Sequence, residues 1–164
     1  MYKIIVTLLT TLFFLTGFIE NEANNNNENV KEDTIEFSYL NNLTEEEISA
    51  YKLFKEDKDI SYLRSFSSEH IVLVYLHSVA KNDLEGIYSL TYHGETTPNF
   101  LEFKNEYYKE RQLKDENLVL TFRNYDSISS KADSVDLKVS FGSITYHLFI
   151  GVKKEHDVWK VNMP

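Results

Sequence analysis

Acid–base or metal chemistry needs ionisable side chains brought to one place, and the five His of this chain are the first candidates. His70 falls in the first turn of a predicted helix, and His77 lies near Lys81 on that helix's polar side. His93 and His156 fall in loops, and His147 sits on the outward side of a predicted strand beside Lys138. None stands in a ligand spacing such as H-E-x-x-H, and each reads as a solvated imidazole. With no Cys in the chain, disulfides, thiolate nucleophiles and Cys-ligated zinc are all excluded. No G-x-S-x-G turn marks an activated serine, and the five Gly form no phosphate-cradling loop. The expectation is a chain with no metal, no cofactor and no catalytic residue declared by a motif.

The net charge of -9 suggests an acidic surface, but its distribution does not. Residues 20–47 carry nine acids and one Lys, leaving 17 acids against 15 Lys and Arg from Ile48 onward, a difference of -2. No basic face is left over for neutralising phosphates, so nucleic acid is not an expected partner.

Ahead of the acidic stretch, Met1-Tyr2-Lys3 and the apolar residues 4–19 have the short basic start and apolar core of a secretory signal. A run of sixteen residues falls short of the roughly 20 that cross a hydrocarbon core, so export is the leading reading and a retained anchor the other. Leu15-Thr16-Gly17-Phe18 resembles a bacterial lipoprotein motif with Phe18 in the place of the lipid-accepting Cys, and Phe has no sulfur to acylate. Membrane attachment would therefore rest on an uncleaved N-terminal segment. The expected organisation is a signal at 1–19, an acidic flexible linker at 20–43 and a single domain at 44–164, working outside the cytoplasm as a secreted or envelope-attached protein.

Helices come first in that domain and strands after, the order of an α+β fold. Thr44 and Glu47 form a capping box ahead of Ile48, Tyr51 and Phe54, opening a helix that ends near Lys58. Ser67 caps a second helix running to about Ala80, and Asn82-Asp83 restarts a short one through Leu90. Thr97-Pro98 opens a further helix carrying Phe100, Phe103, Tyr107 and Tyr108, expected to stop near Gln112. Period-two alternation then predicts strands over Leu118, Leu120 and Phe122, over Val135 to Phe141 and over Ile144 to Ile150. Gly142-Ser143 as a two-residue turn sets Phe141 opposite Ile144, Val139 opposite Tyr146, Leu137 opposite Leu148 and Val135 opposite Ile150. A last strand, Val158 to Val161, follows the turn at Glu155-His156-Asp157.

The run from Ser67-Ser68-Glu69-His70 through Tyr75-Leu76 and Asn82-Asp83 to Tyr88-Ser89-Leu90, with Asp157-Val158-Trp159-Lys160-Val161 closing the chain, resembles the NTF2-like superfamily. The likeness is greatest to its small extracytoplasmic bacterial members, which occur as lipoproteins or as accessory domains of penicillin-binding proteins. It implies a cystatin-like cone: N-terminal helices packed on a curved antiparallel sheet of three or four main strands. The strand expected between the second and third helices of that fold is reduced to a stub at Leu90-Thr91-Tyr92-His93-Gly94.

Enzymes of this superfamily place acid–base groups inside the cone, so the inward side chains decide the functional reading. They are Leu118, Leu120, Phe122, Val135, Leu137, Val139, Phe141, Ile144, Tyr146, Leu148, Ile150, Trp159 and Val161, with no ionisable group other than a tyrosine. Tyr75, Tyr88, Tyr107, Tyr146 and Trp159 could line a small pocket or be ordinary core. Thr145, His147 and Phe149 face outward and mark either a contact surface or a face covered by the same chain. Three functional readings follow. The first is a non-catalytic envelope domain that binds a protein or envelope component. The second is a small-molecule enzyme using helix-borne groups such as Asp83 or His77. The third is a structural stalk or dimerisation module.

Overall fold

The computed structural model describes residues 37–94 and 98–162. The proposed leader, most of the acidic stretch and the Thr97 cap lie outside those residues. A helix apolar on every side has to be wrapped by other elements, and Ser68–Ala80 (α2) is such a helix. Six consecutive residues, 71–76, are buried in it, so no side of the helix is left for water. The Ser67 hydroxyl accepts the His70 backbone N–H at 3.2 Å, the cap the sequence predicts.

Around α2 stand the other helices. Glu45–Asp57 (α1) opens on the expected capping box, with Thr44 Oγ1 accepting from the Glu47 N–H and the Glu47 carboxylate from the Thr44 N–H. It stops at Lys58, whose left-handed φ of 62° closes the last turn. Leu84–Leu90 (α3) is capped by Asp83. The packed region begins ahead of Thr44: a 3-10 turn at Tyr39–Asn42 buries Tyr39, whose hydroxyl donates to the Val119 carbonyl at 2.8 Å. Residues 37–43, read from sequence as linker, therefore belong to the packed domain, with Phe37, Leu40 and Leu43 partly buried against its core.

Phe100–Glu106 (α4) starts two residues later than expected, with Asn99 rather than Thr97 as its cap in a capping box with Glu102. It does not stop near Gln112. A π turn at Tyr107–Arg111 leads directly into Gln112–Thr121 (α5), so Leu118 and Leu120 are helical and the strand expected there does not exist. The inward positions of this helix are Phe103, Tyr107, Asp115, Val119 and Phe122. A buried Asp in the stripe makes a helical face read as polar, and the Leu118–Leu120–Phe122 alternation is then the only apolar signal left. Leu120, placed inward by that alternation, is 71% exposed.

The sheet is antiparallel, curled and four-stranded, in the order of the chain. Its strands are Ser127–Ser130 (β1), Ser134–Phe141 (β2), Ile144–Glu155 (β3) and Val158–Val161 (β4). The fold is α+β, helices on a curled antiparallel sheet. The four expected cross-strand pairs of β2 and β3 all occur. Gly142 takes φ 62° at the first turn position, as a type II′ hairpin requires, while His156 and Asp157 at φ 50° and 66° make the I′ turn into β4. Among the described residues the only trace of an extra strand is a single parallel bridge from Thr91 to Val161, the stub expected at that point. β1 has one apolar residue, Ile128, and no alternation to announce it.

One face of β2 and β3 carries the expected residues, but α2 covers only part of it. Val135, Leu137, Val139 and Ile150 are buried, whereas Phe141, Ile144 and Tyr146 are 55%, 56% and 48% exposed where the hairpin runs past the helices. Leu148 and Trp159 are half-buried. The expectation that this whole face is core is corrected: parity was right and coverage was not.

β3 changes partner along its length, pairing with β2 up to Gly151 and with β4 from Val152. A Cβ on Gly151 would meet the Asn162 carbonyl oxygen at 2.5 Å. Gly151→Ala is expected to push β4 from its place and cost about 2 kcal/mol in urea unfolding. A second test concerns Glu69 on α2, which accepts from the Ser130 N–H at 2.9 Å and ties the helix to β1. Burial pushes its carboxyl up, but hydrogen bonds from Ser130, its own backbone, Ser67 and Ser68 outweigh this and hold it at about 2. Stability from that group is full above the ordinary 4.5 and is lost as pH falls toward 2. Glu69→Gln is expected to flatten the fall in melting temperature between those two values, followed by Trp159 fluorescence.

Candidate functional site

The π turn is the one irregularity in an otherwise regular helix, and π turns recur at functional sites. Widening the helix at Tyr107–Arg111 keeps Phe103, Tyr107, Arg111, Asp115 and Val119 in one row at four-residue intervals. Arg111 and Asp115 thereby face Tyr75 of α2. The Tyr75 hydroxyl donates to Asp115 Oδ2 at 2.8 Å, and an Arg111 guanidinium N–H donates to the same hydroxyl at 2.9 Å, with Arg111 and Asp115 3.8 Å apart. Burial pushes the Tyr75 phenol well up, so it stays a donor. A buried carboxylate is stabilised by both partners, and the triad clamps the π turn to α2.

Outside this clamp is a cleft of about 340 Å³ lined by Tyr92, His93, Phe103, Glu106, Tyr107 and Arg111, among others. His93 packs 4.7 Å from the Tyr88 ring and edge-on to Phe103, and its Nε2–H donates to the Tyr88 carbonyl at 3.0 Å. Burial lowers its pKa and favours the neutral imidazole. Aromatic walls, an imidazole and a guanidinium could hold a small polar ligand; the polar groups of the clamp are already committed to one another.

A second cleft, of about 430 Å³, lies where the chain enters the fold, between Phe37, Tyr39, His77, Lys81, Leu120 and Arg123. His77 stands edge-on to Tyr51, 5.7 Å between rings, and burial followed by Lys81 and Lys55 lowers its pKa. Asp83 is committed to structure: one oxygen caps the Gly86 N–H and the other holds Lys58 Nζ at 2.6 Å.

The aromatic residues expected to share a pocket are dispersed. Tyr75 and Tyr107 are buried on either side of the Arg111–Asp115 pair, and Tyr107 lines the π-turn cleft. Tyr88 is half-buried beneath that cleft, its hydroxyl donating to the Pro98 carbonyl at 2.9 Å. Tyr146 sits on the overhanging hairpin against Phe141, 5.9 Å between rings, and Trp159 lies on β4 under Lys154. Thr145, His147 and Phe149 stand together on the outer face of β3: the His147 ring lies 6.0 Å from Phe149, nearly parallel, and Lys131 Nζ lies 4.4 Å from the Phe149 ring centre. Two imidazoles expected to be merely solvated have partners. His147 Nδ1 is 3.0 Å from Asp136 and His70 Nδ1 is 2.6 Å from Glu47. His77 and His93 are partly buried against aromatic rings rather than free in solvent. Sequence reasoning missed Arg111 and Asp115, whose i,i+4 spacing on a helix was the available signal.

Among the described residues no group of His, Asp and Glu has the arrangement to hold a metal ion, and no helix is long and apolar enough to cross a membrane. Tyr75→Phe is expected to strand the Asp115 carboxylate and cost about 1–3 kcal/mol in chemical denaturation. His77 and His93 are expected to titrate below the ordinary 6.5 when their ring protons are followed by NMR. Compared with protein-family models, curated proteins and solved structures, this chain matches none.

Proposed function

We propose that this protein is a non-catalytic, NTF2-like interaction domain that works outside the cytoplasm at the cell envelope, and that its contact surface is the outer face of β3 at Thr145, His147 and Phe149. One observation carries the reading. The buried part of the sheet's apolar face, where an enzyme of this fold would hold its substrate, is packed against α2, and neither cleft is lined by a residue of β1–β4. The surface left open belongs instead to the β2–β3 hairpin, with Phe149 55% exposed beside an imidazole and a Lys. An exposed aromatic with polar neighbours suits recognition of another macromolecule. Extracytoplasmic placement rests on the basic start and apolar core of residues 1–19 and on the acidic, Asn-rich tether after them. A second reading, a small-molecule site, is favoured by the His93 imidazole and the Arg111 guanidinium lining the π-turn cleft together.

A photo-activatable amino acid at position 149, in living cells, tests the first reading. Covalent products are expected there and not from Leu113, a still more exposed residue of α5. Products from neither position would overturn the contact surface. Mass spectrometry of the mature chain tests its location: a start near residues 18–24 means release and a start at Met1 means retention, while a cytoplasmic pool of full-length chain overturns the envelope reading.

A further inference from the structure

Resting on that contact surface, we infer that the partner at the β3 edge is a second copy of this chain, added as an antiparallel strand about a two-fold axis at His147. The argument begins with which backbone groups are unpaired. In an antiparallel strand, successive residues turn their N–H and C=O to opposite sides. The Val152 N–H donates toward β2, to Asp133 O at 2.8 Å, so even-numbered residues of β3 face β2. Odd-numbered residues face the other side, where Gly151 O accepts from Asn162 N–H at 2.8 Å. Among the described residues β4 covers that side from Gly151 to Glu155. Thr145, His147 and Phe149 therefore direct their N–H and C=O to an edge with no neighbour among the described residues.

Among the described residues nothing blunts this edge. Residues 144–150, Ile-Thr-Tyr-His-Leu-Phe-Ile, contain no Pro, Lys, Asp or Glu, the residues that usually guard a free strand. Their length and order fit a copy of themselves. Among the described residues the open stretch runs from the Gly142-Ser143 turn to Gly151, where Asn162 takes up the ladder, and a partner segment of the same seven residues matches its length. With His147 opposite the partner's His147, Thr145 pairs with the partner's Phe149 and Phe149 with the partner's Thr145. This register uses the N–H and C=O of all three residues on both chains, as ladder pairing requires. It also keeps faces matched: the exposed Ile144 and Tyr146 come beside the partner's Ile150 and the partner's Leu148 on the apolar side. No charged side chain opposes another within the stretch, so self-pairing meets no like-charge penalty. The result is one continuous eight-stranded sheet with an isologous interface.

The cysteine-free chain makes the register directly testable in the full-length protein. Opposed residues at the axis lie about 5.5 Å apart at Cα, within the range of about 4.4–6.8 Å that a disulfide spans. The two copies of position 145 lie about 14 Å apart in the same register. Under mild oxidation His147→Cys is expected to yield a product of twice the chain mass. Thr145→Cys and Phe149→Cys are each expected to stay single alone and to cross-link when mixed. In sedimentation velocity the unmodified chain is expected to run as a dimer, and Thr145→Pro or Phe149→Lys, which leave the β2 ladder untouched, as a monomer. A monomeric unmodified chain, or Thr145→Cys linking to itself as readily as His147→Cys, overturns the proposal. So does a photo-cross-link from position 149 to a chain of different mass, which would keep the contact surface and reject the second copy.

Discussion

Six consecutive buried residues in one helix are the constraint from which the rest of the domain follows. An ordinary surface helix presents a stripe to the core and needs one partner; residues 71–76 present apolar atoms in every direction and need partners on all sides. The sheet supplies one wall, α3 and α5 supply others, and the 3-10 turn at Tyr39–Asn42 supplies another. The polar exceptions around α2 are all provided for. Ser78 donates to the Val74 carbonyl, Tyr75 meets Asp115, and no buried side-chain polar atom among the described residues is left without a partner. Burying a carboxylate such as Asp115 is costly unless hydrogen bonds and a countercharge hold it, and here a phenol and a guanidinium do.

What could be read from the sequence was what local chemistry decides. Caps at Thr44, Ser67 and Asp83 are short-range contests between side-chain oxygens and free backbone donors, and all three were legible. The β2–β3 register followed from a Gly that tolerates φ 62° and from strict alternation on both sides of it. The α4 cap, expected at Thr97 and found at Asn99, is a local choice that was missed, and the other failures were decided over distance. The α5 stripe was disguised because its inward member is an acid whose partners, Tyr75 and Arg111, lie on α2 and in the π turn. β1 is held in the sheet by neighbours and shows no pattern of its own. Burial of Phe141 and Ile144 depended on how far α2 reaches, which alternation does not encode.

The candidate site was legible to a different extent. Thr145, His147 and Phe149 were placed together by strand parity, and they do share one outer face. The five pocket aromatics were grouped by residue type alone, and the fold scatters them across α2, α3, the π turn, β3 and β4. The cleft beside the π turn had no sequence signature, since His93, Glu106 and Arg111 come from two separated segments and gain their common setting only through the widened turn.

That widened turn has a consequence for how the cleft is maintained. A π turn spends one residue more per turn than an α-helix, so its geometry is a matter of count rather than of chemistry. Every side chain from Gln112 to Thr121 is rotated by that single surplus residue. Without it, Asp115 would swing off the line of Tyr75 and the helix would rewind through the space beside His93. The shape of this cleft is thus written in the length of the chain between Phe103 and Asp115, and a change of length would erase it even with every lining residue retained.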